Sequence, residues 1–360
     1  MSDERFEHRS NLSRVLFGPG RVTEIAEAAI ELGLNRALIL ATPSSLPLAR
    51  RVGDLLGERT AAVSGEARMH TPTAVTDLHE RRVAVEAADG LVAVGGGSAI
   101  GLAKAIALRV NLPILAIPTT YSGSEMTSVW GSTAGGVKTT GRDPRVVPAV
   151  VIYDPELTRA LPHDVAGLSG LNSIAHAVEA VYSPEQSPLL RLSAAEAIRR
   201  MHAGLTAIHA KPDDLAGYSL AMHGAWLGGV CLGGATMSLH HKLCHVLGGT
   251  FDTPHAATHA IVLPYVLGYN SSSLTSIQRS TIMDALGTDD PCLVLRELGS
   301  TFRAPASLRE LGLQPADLEV VLEQVTDAPY PNPRRVEANG LRDLLEDAFV
   351  GKPRGWTPNK

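Results

Sequence analysis

The chain has 360 residues, 44% of them hydrophobic, and a formal net charge of −5. That is enough apolar material for a large core and more than one domain, while the mild acidic balance gives no electrostatic case for nucleic acid or a membrane surface. No apolar run approaches the roughly 20 residues needed to span a bilayer.

In chain order, Val22 to Leu32 reads as a helix and Ala37-Leu38-Ile39-Leu40-Ala41 as a buried strand. Leu91 to Val94 is a second strand, Ser98 to Leu108 a helix, and Ile114 to Ile117 and Val150 to Tyr153 two further strands. Continuous apolar runs of this length suit parallel strands covered on both faces, and their alternation with helices predicts an open α/β sheet. After Asp154-Pro155 the strand-like runs give way to helical periodicity in Gly170 to Tyr182, Leu189 to Ile208, Leu215 to Cys231 and Met237 to Leu247. The expected architecture is a Rossmann-like α/β nucleotide-binding domain over residues 1–158 and an all-helical domain over 159–360. The boundary is expected near Leu157 to Pro162. The polar N-terminus, MSDERFEHRS, has no apolar stretch of signal-peptide type. Three scattered cysteines, Cys231, Cys244 and Cys292, argue against a disulfide framework and for a reducing cytoplasm.

Val94-Gly95-Gly96-Gly97-Ser98 follows a strand and opens a helix. Glycines let backbone N–H groups approach a pyrophosphate, and the helix N-terminus adds unpaired donors and partial positive charge. The pattern is not GxGxxG, so the glycine loop is expected to act in its own geometry. Pro118-Thr119-Thr120-Tyr121-Ser122-Gly123-Ser124-Glu125 follows the next strand and supplies hydroxyls at the same sheet edge. Gly95, Gly96, Gly97, Ser98, Thr119, Thr120 and Ser122 are therefore the expected cofactor contacts. Thr42 stands just after the first-domain strand, where a carboxylate would grip a ribose 2′-hydroxyl, so both NADH and NADPH are expected to serve.

Thirteen histidines are present, and several fall at helical spacing in short segments. Asn172 and His176 are four apart, as are His241 and His245, and His255 and His259 follow a glycine-broken turn. Single histidines on apolar helices are commonly structural. Several on neighbouring helices, each pair sharing a face, point to a metal or former metal site.

These segments carry a resemblance. The GGGS loop, TTYSGSE, GLNSIAHAVEA and HHKLCHVLGGTFDTPHAATHA together resemble the iron-containing alcohol dehydrogenases, which share the architecture of dehydroquinate synthase-like enzymes. The resemblance implies a metal held by one Asp and three His, falling here on Asn172, His176, His241 and His255, with His245 near the nicotinamide. Asn172 stands at the carboxylate position, so no metal is expected to be required. HHKLCHVLGG, GGVKTTGRDPRVVPAVVIYDPELT, YSGSEMT and PYPNPR look like the maleylacetate reductase branch, which reduces a carbon–carbon double bond of a small dicarboxylate to give 3-oxoadipate in aromatic-compound breakdown. Pro331 stands where an aromatic is expected, so the pocket edge should differ.

Conjugate hydride addition yields an enolate that hydrogen-bond donors can stabilise without a metal. His245 is the first choice for proton donor, with His241, His176 and His255 as further donors. Lys242, Tyr330 and Arg334 are candidates for the substrate carboxylates. Lys138 and Arg142 are further basic candidates, Lys138 also for the cofactor. A cytoplasmic homodimer without nucleic-acid or membrane partners is expected. The competing readings are a metal-dependent alcohol dehydrogenase acting on a small alcohol or aldehyde, a dehydroquinate synthase-like lyase, and a non-catalytic scaffold. Asn172 counts against the first, the lack of a dense Lys/Arg phosphate segment against the second, and the intact glycine and hydroxyl loops against the third.

Overall fold

A computed structural model describes residues 13–185 and 187–357. It divides the chain into two compact units, one ending at Leu161 and one beginning at Pro162.

The first unit holds a parallel sheet of six strands in the order β1-β8-β5-β4-β2-β3. They are β1 (Arg14–Phe17), β2 (Ala37–Ala41), β3 (Thr60–Ser64), β4 (Gly90–Gly95), β5 (Ile114–Pro118) and β8 (Val150–Tyr153). β6 (Val129–Ala134) and β7 (Val137–Arg142) form a separate antiparallel hairpin. Among the described residues, four α-helices accompany the sheet: α1 (Ile25–Glu31), α2 (Leu46–Leu56), α3 (Thr73–Val85) and α4 (Gly97–Val110). The apolar runs divide by the two-residue period of a strand. Ile39, Val92, Val94, Leu115 and Ile152 face one core with α1 and α2. Leu38, Leu40, Leu91, Ala93 and Ile114 face the other with α3 and α4.

Four strands follow the sequence expectation. β1, β3 and the hairpin do not, because β1 and β3 are sheet edges and the hairpin is largely exposed, so none carries a continuous apolar run. The Val22–Leu32 helix starts as a 3-10 turn, since Asp154 accepts from the Gly20 and Val22 N–H groups at 3.1 Å and caps that end.

The second unit is helical: α5 (His163–Val181), α6 (Pro188–Ala210), α7 (Leu215–Gly234), α8 (Leu239–Phe251), α9 (His255–Asn270), α10 (Ser276–Leu286), α11 (Pro291–Thr301), α12 (Asp317–Thr326) and α13 (Ala338–Val350). α5 is buried at nearly every position from Ala166 to Val181, as expected of a helix that is apolar all round. Leu239, Leu243 and Leu247 of α8 join Ile261, Val262, Tyr265 and Tyr269 of α9 in one core, which fixes the facing sides of these two helices. No helix among the described residues is long and apolar enough to cross a membrane.

Candidate active site

In the α/β unit, the loops after β2, β4 and β5 leave adjacent strands at the same edge, because Ala41 pairs with Val94 and Gly95 with Pro118. The Thr119 N–H donates to the Gly95 carbonyl at 3.1 Å. Gly95 has φ +141°, which favours glycine, and a Cβ there would lie 3.2 Å from Ser45 Oγ. A Cβ on Gly96 would lie 2.8 Å from Thr120 Oγ1, whereas one on Gly97 would clear Ser122 by 3.7 Å. Thr42 Oγ1 is bonded to the hydroxyls of Ser44 and Ser45 at 3.0 and 3.3 Å. No side chain caps α4, so its first turn, with Gly97 and Ser98, presents N–H groups to a ligand. The expected loop residues thus come together, with Ser45 added. Lys138 is not among the side chains packed against the three glycines. It lies exposed on β7, opposite Thr133 of β6.

Behind the loop, Lys104 of α4 is fully buried. Its ammonium donates to the carbonyls of Ser124, Thr127 and Val129 at 2.6, 2.7 and 2.9 Å, and so ties down the end of the TTYSGSE segment. Burial lowers its pKa to about 7. Its signal in the sequence is a lone charge on the apolar face of α4.

In the helical unit, Asn172, His176 and Glu179 fall on one stripe of α5 at spacings of four and three. α8 carries two parallel pairs, His241 with His245 and His240 with Cys244, and α9 carries His255 with His259. The rings of His176 and His241 stack with centroids 5.1 Å apart. His241 lies 6.2 Å from His245 and 5.0 Å from His259, and His259 lies 4.4 Å from His255. Five atoms of the group, Asn172 Oδ1, His176 Nδ1, His240 Nδ1, His241 Nε2 and His259 Nε2, are buried without a hydrogen-bond partner. They are what a ligand would satisfy.

Glu179 organises this cluster. Its buried carboxylate accepts from the backbone N–H groups of Ser238 and His240 at 2.8 Å each, capping α8. It also accepts from His241 Nδ1 at 2.7 Å. The ring proton is therefore assigned to Nδ1, which leaves Nε2 as the atom that can gain or lose a proton. Sequence reasoning passed over Glu179, although an acid three residues after His176 on an apolar helix was the available signal.

Burial, and then the neighbouring His241, His255 and His245, hold the His176 pKa well below its usual value. His240 and His259 are depressed in the same way, chiefly by burial. These three rings stay neutral, so His176 is a poor general acid. His245 and His255 are exposed, and Lys242 is partly exposed.

The segment after α12 lines a cavity of about 230 Å³ with Tyr330, Asn332, Arg334 and Arg335. The Tyr330 hydroxyl is buried without a partner, and burial raises its pKa, so it remains a neutral donor. The segment is tied to the N-cap of α8 by Ser238 Oγ donating to the Pro331 carbonyl at 2.7 Å. Arg334 stacks on Tyr269 with 4.1 Å to the ring centroid and donates to the Tyr269 carbonyl, so its guanidinium is already engaged. Arg142 is exposed at the end of the hairpin.

Iron is poorly matched by Asn172, His176, His241 and His255. An amide and three imidazoles bring no negative charge, and Glu179, the nearby carboxylate, already has both oxygens bonded to N–H groups.

Comparison with known proteins gives a consistent result. Residues 13–155 match the family described as iron-containing alcohol dehydrogenase, and residues 167–349 match the C-terminal part of the Fe-containing alcohol dehydrogenase family. The chain is 45% identical over 348 residues to a maleylacetate reductase of Pseudomonas knackmussii, covering 97% of this chain and 99% of that protein. A maleylacetate reductase of Burkholderia cepacia is 44% identical over 346 residues, covering 96% and 98%. The crystal structure of maleylacetate reductase from Agrobacterium tumefaciens superposes with a TM-score of 0.93 at 41% identity, covering 98% of this chain and 99% of that one.

Proposed function

The chain belongs to the iron-containing alcohol dehydrogenase family, a family of oxidoreductases, and we propose that it reduces the carbon–carbon double bond of maleylacetate to give 3-oxoadipate with NADH or NADPH. The observation that carries this reading is the donor set on α5, α8 and α9. It offers buried open positions at Asn172, His176 and His241 but no anionic ligand for a Lewis-acidic metal. Alcohol oxidation needs an alkoxide, which a metal makes accessible. Conjugate reduction needs only donors aimed at an enolate.

The reaction takes up one hydride and one proton. A bound nicotinamide would supply hydride to the double-bond carbon β to the ketone, and the substrate would then carry the electron pair as an enolate on the ketone oxygen. His241 Nε2, when protonated, donates to that oxygen, and its charge is balanced through Nδ1 by Glu179. His245, one turn along α8 and exposed to solvent, protonates the α-carbon and is refilled from water. His255 and neutral His176 supply further hydrogen bonds. Tyr330 and Lys242 are the proposed partners of the substrate carboxylates.

The glycine loop and α4 bind the cofactor pyrophosphate, with Thr42, Thr119, Thr120 and Ser122 beside it. The buried free thiols of Cys231, Cys244 and Cys292 support a reducing cytoplasm as the place of action. A homodimer completes the proposal, to be read by light scattering. The deciding experiment is an absorbance assay of NADH oxidation with maleylacetate against a panel of short alcohols and aldehydes. Turnover confined to the alcohols and aldehydes would overturn the reading.

A further inference from the structure

His240, Cys244 and His259 take no part in the proton transfers above. His240 and Cys244 stand one turn apart on α8, and His259 faces them from α9. All three are essentially inaccessible. His240 Nε2 lies 2.9 Å from His259 Nδ1 and 3.7 Å from Cys244 Sγ, and the three donor atoms all lie within 4.8 Å of one another. Two imidazole nitrogens and a sulfur form a borderline-soft set. Around a tetrahedral zinc, two nitrogens stand about 3.3 Å apart and nitrogen and sulfur about 3.6 Å, as Zn–N near 2.05 Å and Zn–S near 2.3 Å require. The sulfur is thus already at its distance from His240 Nε2, and the two ring nitrogens stand a few tenths of an ångström closer than zinc requires.

We propose that His240, Cys244 and His259 form a zinc site that staples α8 to α9. The site lies beside the family's iron positions and shares no residue with them. It supplies through Cys244 the anionic ligand that Asn172 does not. On binding, the Cys244 thiol releases its proton to solvent. The proton shared between the two rings moves to an outward ring nitrogen, so His240 Nε2 and His259 Nδ1 both present lone pairs to the ion. Zinc and one thiolate leave a single positive charge. Three protein ligands leave one position for a further donor. The staple would hold the corner between helices that carry His241, His245 and His255. It stands whether or not maleylacetate is the substrate.

Cobalt(II) tests this, because a thiolate ligand gives it an intense near-ultraviolet charge-transfer band that imidazole and amide ligands do not. The full chain is produced in zinc-depleted medium with Co²⁺, and its metal content and spectrum are measured. The expected result is one cobalt per chain with the thiolate band, displaced by added Zn²⁺. Cys244→Ala and His240→Asn should each abolish the band while Cys231→Ala keeps it, and either of the first two that folds by circular dichroism is decisive. Should neither fold, the band must persist in Cys231→Ala/Cys292→Ala, where Cys244 is the remaining thiol. No bound cobalt, cobalt without the band, or a band that survives in folded Cys244→Ala would overturn the proposal.

Discussion

His241 Nδ1 donates to Glu179 at 2.7 Å, and both groups are buried. The same carboxylate caps α8, so the orientation of one ring and the start of the helix that carries it depend on one side chain. Glu179→Gln preserves shape and keeps one acceptor oxygen for His241 Nδ1, but its NH2 then faces the His240 N–H that the carboxylate now accepts from. The His241 ring loses its counter-charge, and α8 loses part of its cap. The expected effect is a fall in kcat of roughly tenfold or more, about 1.4 kcal/mol in the barrier, with NADH affinity unchanged. Steady-state kinetics and fluorescence titration check it; unaltered kcat would remove Glu179 from the mechanism.

His241→Ala and His245→Ala should each lower kcat on maleylacetate by about 10²–10⁴-fold, the range for general acid catalysis. NADH dissociation constants should stay within a factor of about two, or about 0.4 kcal/mol. Near-normal turnover in both variants would place the chemistry elsewhere.

Gly97→Asp separates charge from space in the phosphate loop. A Cβ at Gly97 would meet nothing closer than Ser122 at 3.7 Å, so the fold should survive. A carboxylate at the first turn of α4 would nevertheless repel a pyrophosphate. NADH affinity should fall on the order of tenfold or more, about 1.4 kcal/mol, measured by calorimetry, with the melting temperature nearly unchanged.

Thr42 has its hydroxyl turned to Ser44 and Ser45, and no carboxylate stands there to reject a 2′-phosphate. The kcat/KM values for NADH and NADPH should lie within about tenfold, or about 1.4 kcal/mol, of each other. A larger preference for NADH would mean that another residue reads the ribose.

Excess Fe²⁺ or Zn²⁺ should not raise kcat. Asn172→Asp, which restores an anionic ligand beside His176, should bind divalent cations more tightly by equilibrium dialysis and slow maleylacetate reduction. Activation of the native protein by iron would return the metal to the reaction.

Much of this protein is determined by local pattern. The runs at Ala37–Ala41, Gly90–Gly95, Ile114–Pro118 and Val150–Tyr153 are apolar on both faces, so they can only be central parallel strands with helices on each side. The glycine loop is legible because strand, glycines and helix adjoin in the chain. Likewise, four-residue spacing alone puts Asn172 with His176 and His241 with His245 on shared helix faces. What the tertiary structure decided is what lies opposite each face. α8 carries two histidine stripes, and only packing against α5 and α9 sends His241 to Glu179 and His240 to His259. The same holds for Lys104: a charge on the apolar face of α4 marks it in the sequence, but only the loop at 124–129 wraps its ammonium in carbonyls. The edge strands at Arg14–Phe17 and Thr60–Ser64 were hidden for a related reason. Half-exposed strands hold little apolar pattern of their own and are made by the neighbour they pair with.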